Sequence, residues 1–396
     1  MNIFLHLLKF HLITVYFFIK LITRQKKQVV FLSRQYNDIS LNYAGVIDLL
    51  EEEGITYKCV CKKVLSSIND SVRTQGNYSN GQTFFKKILK HFKESLSYYF
   101  SLYSQMRLIA ESKVVIVDGY NIVVSLLKHK KGTKVIQMWH ALGAIKQFGY
   151  QSIGKKDGIN PDMARILKMH NNYDYILSGS EGMNPFFAEA FNTDISHVLA
   201  IGTPTVDYMR KKNPKAKKKI FKRYPQMKKK TNVLYSPTFR NDKQDNTQSL
   251  IDVFDFEKCN LIITNHPKVD NNTLDSRVIY INRDEFSTFD IVKVVDYVIT
   301  DYSALMIDAA IANKKILLYV YDYDKYSKDN GVNIEMLKDF PHISSKSAEE
   351  IVKIITDDRY DEEEYAEFKK LYTPNIKGSS TKKIVDLIKR CLTDEH

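Results

Sequence analysis

Ile299-Thr300-Asp301-Tyr302-Ser303-Ala304-Leu305-Met306-Ile307-Asp308 reads as a buried strand, a short polar turn and the start of a nearly all-apolar helix continuing through Ala312. A strand that feeds directly into a helix is the repeating unit of a parallel α/β sheet. Ser303 is placed to cap the helix. A helix start with free N–H groups at the positive end of the dipole attracts an anion. Asp308 is the lone charge in the apolar run. A buried carboxylate is costly without a partner; the partner here is a ribose hydroxyl of a bound nucleotide, a neighbouring arginine or a backbone group.

The same unit recurs on both sides of this stretch. Asn232-Val233-Leu234-Tyr235, Leu261-Ile262-Ile263, Val278-Ile279-Tyr280, Tyr297-Val298-Ile299 and Ile316-Leu317-Leu318-Tyr319 are strands, and residues 348–392 read as helices. An earlier series holds Val29-Val30-Phe31-Leu32, residues 56–60, Val114-Val115-Ile116-Val117, residues 134–138 and Tyr175-Ile176-Leu177, with helices over 43–52, 84–110 and 185–191. Between them, twelve of the 21 residues from Arg210 to Lys230 are Lys or Arg. That segment reads as a solvated helix and linker, with contact to acidic lipid as the alternative. The expected architecture is therefore α/β, with two doubly wound parallel-sheet domains. An amphipathic helix occupies 1–27, an α/β domain 28–209, a basic linker 210–230, and a second α/β domain with terminal helices 231–396. Ligands in open α/β sheets bind outside the carboxyl ends of the strands.

The polar motifs fall at those ends. The strand ending at Met138 runs into Trp139-His140-Ala141-Leu142-Gly143, with Lys146 close behind; His140 suits general-base work because its pKa lies near neutrality. Trp139, Gly143 and Lys146 are cleft candidates. Ser236-Pro237-Thr238-Phe239-Arg240 follows the first strand of the second series, and Arg240 is a candidate for a two-pronged grip on phosphate. Thr264-Asn265-His266-Pro267-Lys268 closes the next strand and supplies two more cations. Asp322-Tyr323-Asp324 has the D-x-D form of metal-dependent sugar-nucleotide enzymes but reads as a loop feature, so no metal and no cofactor is expected. The chain has no G-x-x-x-x-G-K-[ST] loop, G-x-G-x-x-G fingerprint, G-x-S-x-G or H-E-x-x-H.

Lys and Arg number 59 against 46 Asp and Glu, a net charge of +13, which suits anionic partners. No nucleic-acid module is recognisable, so nucleic acid ranks last among them. The four cysteines, with one C-x-C at Cys59 and Cys61, form neither a disulfide framework nor a zinc spacing and favour a reducing compartment. Along the N-terminal helix Asn2, His6, Lys9, Lys20, Arg24 and Lys27 share one narrow sector and the rest of the circumference is largely apolar. Lys9 leaves Phe10 to Ile19 as the longest uncharged run, too short to cross a bilayer. The segment reads as an interfacial helix on an anionic membrane surface, the bland alternative being a docked helix.

Taken in order, residues 137–140, Gly202-Thr203-Pro204 with Asp207, residues 235–240, His266-Pro267, residues 300–308 and residues 321–326 resemble the CDP-glycerol glycerophosphotransferase family of teichoic acid synthesis. The resemblance implies a two-domain fold of glycosyltransferase-B type, with 28–209, including Trp139, Gly143 and Lys146, on the acceptor side and 231–396 binding the donor. It implies His140 as base, and His266, Arg240, Pro237, Thr238, Thr300, Asp301, Ser303, Ala304 and Asp308 around the donor. CDP-glycerol or CDP-ribitol would be the donor, an undecaprenyl diphosphate disaccharide the acceptor and CMP the product. The protein would sit peripherally on the cytoplasmic face of the membrane. Polymerising members read W-H-G-T-P where this chain has Trp139-His140-Ala141-Leu142-Gly143, which favours the primase branch. A nucleotide-sugar glycosyltransferase of the same fold and a non-catalytic binding protein are the rival readings.

Overall fold

The computed structural model describes residues 2–63, 81–156, 158–238, 240, 246–265 and 275–393. Two six-stranded sheets form, and every strand pair in both is parallel. The first runs β2-β1-β3-β4-β5-β6, from β1 (Lys26–Ser33), β2 (Tyr57–Cys61), β3 (Ser112–Val117), β4 (Lys134–Gln137), β5 (Tyr175–Leu177) and β6 (Val198–Leu199). The second runs β12-β11-β10-β7-β8-β9, from β7 (Thr231–Tyr235), β8 (Cys259–Asn265), β9 (Ile279–Asn282), β10 (Tyr297–Thr300), β11 (Lys315–Tyr319) and β12 (Ser344–Ser345). The strands read as continuous apolar runs because helices cover both faces. In β1, Val29, Val30, Phe31 and Leu32 are all buried.

Both sheets reverse strand order once, between β1 and β3 and between β7 and β10. A crevice opens at the carboxyl edge of each such reversal. The two halves are stitched through Asn333: its side-chain Nδ2 donates to the Ala144 carbonyl at 2.7 Å, and its backbone N–H to the Ile145 carbonyl at 2.9 Å. The Gln147 N–H reaches the Gly331 carbonyl at 3.1 Å.

One boundary differs from expectation. The last helix, Ser380–Thr393, leaves the second half: Ile384, Val385, Ile388 and Leu392 join the core made by Phe31, Val114 and Ile116 of the first sheet. Asp207 anchors its start, accepting from Ser379 Oγ at 2.6 Å and from the N–H groups of Ser380 and Thr381 at 3.0 and 2.8 Å. The 210–230 segment, read as a solvated helix and linker, is helical in part. It forms the helix Pro214–Arg223, capped by Asn213 and held by buried Ile220, then a short turn with Met227 buried. Its lysines face solvent while one apolar residue per turn docks.

The N-terminal helix, Asn2–Ile22, lies on the first half through a narrow stripe of Leu5, Leu12 and Tyr16. Leu8, Val15 and Ile19 pack partly against the same core, while Phe4, Leu7, Phe10, Phe17, Phe18 and Leu21 face outward. Over Ile3–Ile22 the mean hydropathy is 1.6, so length and composition would permit a bilayer crossing in spite of Lys9.

Candidate active site

On the first half, β4 ends in a sharp reversal. Trp139 adopts φ 56°, a left-handed conformation that a bulky residue keeps only when its surroundings hold it. The Gln137 side chain does so, accepting the Trp139 N–H at 3.0 Å and donating to the Gly119 carbonyl at 3.2 Å. The indole stacks on Phe148, centroids 4.6 Å apart. Trp139 is thus the wedge that turns the next residue outward. His140 is exposed to the crevice on one side and closely surrounded on the others. Its Nδ1 lies 3.2 Å from the Asp118 carbonyl. A carbonyl only accepts, so Nδ1 carries the proton and Nε2 is left with a lone pair. Burial, and secondarily the Lys146 charge, lower the His140 pKa, so the ring is neutral at pH 7.

Asp118, just past β3, was not singled out from sequence. Its Oδ2 accepts from Ser33 Oγ at 2.6 Å, and Oδ1 has no partner among the described residues. Burial raises its pKa to about 6. Its place immediately after the run Val114-Val115-Ile116-Val117 was the available signal. Gly143 does not line the open crevice. It is buried, and a Cβ there would overlap the Ile307 side chain, so it serves the close approach of the two halves. Lys146 reaches the second half through a bridge to Val332.

On the second half, several expected donor contacts are turned inward. Thr300 is fully buried and donates to the Ser236 carbonyl at 2.7 Å, tying β10 to β7. Asp301 is 1% exposed; Oδ1 accepts from the N–H groups of Thr238 and Tyr302 at 2.8 and 2.7 Å. Arg240 does not grip a phosphate with its fork. Nε and Nη2 clasp the two oxygens of Asp322 at 2.9 and 3.0 Å, and Nη1 bonds Asp301 Oδ2 at 2.8 Å and the Thr238 carbonyl at 2.7 Å. Four of the five guanidinium N–H donors are thereby occupied. Tyr302 and Tyr326, stacked 3.9 Å apart, enclose this clasp. Asp324, the other acid of the D-x-D string, points away to Lys346 at 2.7 Å. These residues hold the turn after β10 from behind.

What the turn presents is a cavity of about 280 Å³ lined by Ser236, Pro237, Thr238, Ser303, Arg283 and Lys146. Thr238 Oγ1 is buried with no partner among the described residues. Arg283, which follows β9, donates to Thr264 Oγ1, from Nε at 3.2 Å and Nη2 at 3.0 Å, and burial lowers its pKa. No carboxylate pairs with it among the described residues. Ser303 Oγ accepts from the Leu305 N–H at 3.3 Å, and the next two N–H groups bond the Ser303 and Ala304 carbonyls. The N–H groups of Ser303 and Ala304 have no acceptor among the described residues. Sequence reading singled out Arg240 and passed over Arg283, which follows a short strand and lies outside any recognisable motif. His266 lies outside the described residues.

Asp308 sits on the helix Leu305–Ile311, which packs against the helix Pro204–Arg210 of the first half. No partner faces its carboxyl among the described residues, and burial raises its pKa to about 8. The folded state therefore holds a proton that the unfolded chain releases near pH 4. Stability falls as pH rises from about 4 to 8, by roughly 1.4 kcal/mol per unit from this group. Asp308→Asn is expected to remove that slope and to melt above the parent at pH 9. Melting curves of both proteins from pH 6 to 9 check it; parallel curves would mean that Asp308 is charged throughout.

Two parallel-sheet α/β halves, each with a strand-order reversal, make up a fold of glycosyltransferase-B type. Residues 15–390 match the family described as CDP-Glycerol:Poly(glycerophosphate) glycerophosphotransferase, and the chain belongs to it. It is 28% identical over 388 residues to a teichoic acid poly(ribitol-phosphate) polymerase of Bacillus spizizenii, covering 93% of this chain but 57% of the relative. It is 34% identical over 257 residues to a teichoic acid glycerol-phosphate primase of Bacillus subtilis, covering 63% of this chain and 66% of that protein. The fold is shared with the wall teichoic acid polymerase TagF, at TM-score 0.68 and 16% identity over 100% of this chain and 98% of that one.

Proposed function

We propose that the protein transfers glycerol phosphate from CDP-glycerol to a lipid-linked acceptor, an undecaprenyl diphosphate disaccharide, in the synthesis of teichoic acid or a related wall or capsule polymer. The observation that carries this reading is the pairing of a neutral His140, its Nε2 open to the crevice, with a cradle whose Arg283 has no counter-charge among the described residues. The acceptor hydroxyl gives its proton to His140 Nε2 and its oxygen bonds to the glycerol-bearing phosphorus. The bond from that phosphorus to the bridging oxygen breaks, and CMP leaves. Arg283, Thr238, Ser303 and the Ser303 and Ala304 N–H groups offset the charge gathering on the departing phosphate. Arg240 and Asp301 position this turn without touching the donor.

The exposed face of the helix Asn2–Ile22 would bring the protein to the cytoplasmic face of the membrane as a peripheral enzyme. Hydrogen bonds from His11 to Tyr103 and from Tyr16 to His129, at 2.8 and 3.1 Å, favour a helix lying along the body over one crossing the bilayer. Ala141-Leu142-Gly143 in place of the polymerase string favours addition of a first unit. The ribitol polymerase relative supports a second reading in which CDP-ribitol is the donor.

CMP release from CDP-glycerol and from CDP-ribitol, with the lipid-linked disaccharide present or absent, tests both. Acceptor-dependent release from one donor alone decides between them. Release from neither, with turnover of a nucleotide sugar, would replace both with a glycosyltransferase. Arg283→Ala is expected to raise the donor KM about 10- to 100-fold, the loss of a charge-assisted hydrogen bond to phosphate. An unchanged donor KM in initial-rate assays would remove Arg283 from the cradle.

A further inference from the structure

A second cavity, of about 520 Å³, lies at the opposite edge of the first sheet from His140. It is formed where chain enters β4 and β5, with Thr133 and Val135 on one wall and Asn172 and Asp174 on another. Ile13 of the N-terminal helix forms its rim. Ile13 also belongs to the outward apolar face that carries Phe10 and Phe17, so cavity and face are continuous.

The cavity is basic. Lys128, Lys130 and Lys168 line it, and Lys20 reaches its edge, donating to the Lys128 carbonyl at 2.8 Å. Lys130 is turned toward the Thr23 carbonyl. The ammonium groups of Lys128 and Lys168 have no ion pair or hydrogen bond among the described residues. Asp174, the acidic residue in the lining, is consumed by Lys134 at 3.2 Å and by the Val135 N–H at 2.8 Å. Desolvation, and then repulsion from Lys128 and Lys130, lower the Lys20 pKa, as expected of cations gathered without a counter-charge.

The walls are built. Asn172, at φ 70°, donates to the carbonyls of Val124, Ser125 and Leu127 at 3.0, 3.1 and 2.9 Å, fixing the loop that carries Lys128. His129 Nε2 donates to the Val124 carbonyl at 2.8 Å, and its Nδ1 accepts from Tyr16 of the N-terminal helix at 3.1 Å. Helix and lysine loop are thus one unit. A helix seated with its apolar face among acyl chains would bring this loop to the level of the phosphates.

We propose that this cavity is a head-group site, taking the phosphodiester of an anionic phospholipid between Lys128 and Lys168 while the adjoining face of the helix Asn2–Ile22 inserts among the acyl chains. The inference rests on the peripheral membrane reading given above. It adds to that reading a preference for anionic lipid located in one cavity, distinct from the donor and acceptor crevice.

Flotation of the full chain with phosphatidylcholine vesicles, with and without phosphatidylglycerol, tests it. The parent is expected to prefer the anionic vesicles. Lys128→Gln with Lys168→Gln is expected to weaken that binding on the order of 30-fold, at the usual contribution of two lysines near a charged leaflet. Lys218→Gln with Lys219→Gln, an equal charge loss on the helix Pro214–Arg223, is expected to leave it within about 3-fold. Phe10→Ser with Phe17→Ser is expected to abolish binding to either vesicle. A Lys128/Lys168 variant that floats like the parent, while the Phe10/Phe17 variant does not, would overturn the head-group site and leave membrane attachment intact. A parent that floats with neither vesicle would overturn both. Release by soluble glycerol phosphate would assign the cavity to a free phosphate ester and overturn the lipid assignment. Near-parental melting of each variant keeps the comparison valid.

Discussion

His140→Ala is expected to lower kcat by about 10²- to 10⁴-fold, the usual contribution of a positioned general base. That corresponds to roughly 3–5 kcal/mol of barrier. The geometry gives the loss a direction as well as a size. The Asp118 carbonyl fixes the proton on Nδ1, so the lone pair that accepts the hydroxyl proton is on Nε2. Crowding by protein and the Lys146 charge keep the ring neutral. The parent rate therefore rises with pH through a value below the ordinary histidine pKa and is flat at neutrality; the alanine variant loses that acid limb together with the rate. Acceptor-dependent CMP release across pH 5 to 8 measures both. A retained donor-induced thermal shift would show that the variant still folds and binds. Turnover within about 3-fold of the parent would assign the base elsewhere, since removal of a true base costs at least about 10²-fold.

Arg240→Ala is expected to cost on the order of 3–5 kcal/mol of stability. The reason is the company it keeps. Asp301 is 1% exposed and Asp322 is largely enclosed, and the guanidinium neutralises both. Its removal leaves two carboxylates facing each other across the turn after β10. Arg240→Lys is expected to recover only part of the loss, because one ammonium cannot reproduce a planar fork bonded to two acids and the Thr238 carbonyl. Thermal or denaturant unfolding of the three proteins measures this. The substitution is also expected to loosen the cradle and raise the donor KM, with His140 and its pH profile unaffected. A variant that melts with the parent would reduce the clasp to a surface contact.

Much of the architecture was legible because parallel strands covered on both faces must be apolar without interruption. Val29 to Leu32, Val114 to Val117 and Ile316 to Tyr319 announce themselves in that way and form β1, β3 and β11. The two-residue strands β6 and β12 carry no such signal, since pairing with a neighbour alone makes them strands. The last helix was legible as a helix and misplaced as a neighbour. Its apolar stripe says that it must be buried, and only the fold says against which sheet.

The same division runs through the site. Sequence by itself determined the chemistry available at each strand end: His140 after β4, Thr238 after β7, Ser303 after β10, all reaching the crevices because strand ends do so in this kind of sheet. It also determined that the N-terminal helix would carry an apolar face wider than one groove could bury. Tertiary structure alone decided which cations remain free. Arg240 and Arg283 are equal as letters, each a cation shortly after a strand. Asp322, distant in sequence, reaches back to consume the first, and no acid approaches the second among the described residues. A side chain's type sets what it can bind, whereas its remaining capacity depends on partners brought close only by the folded chain.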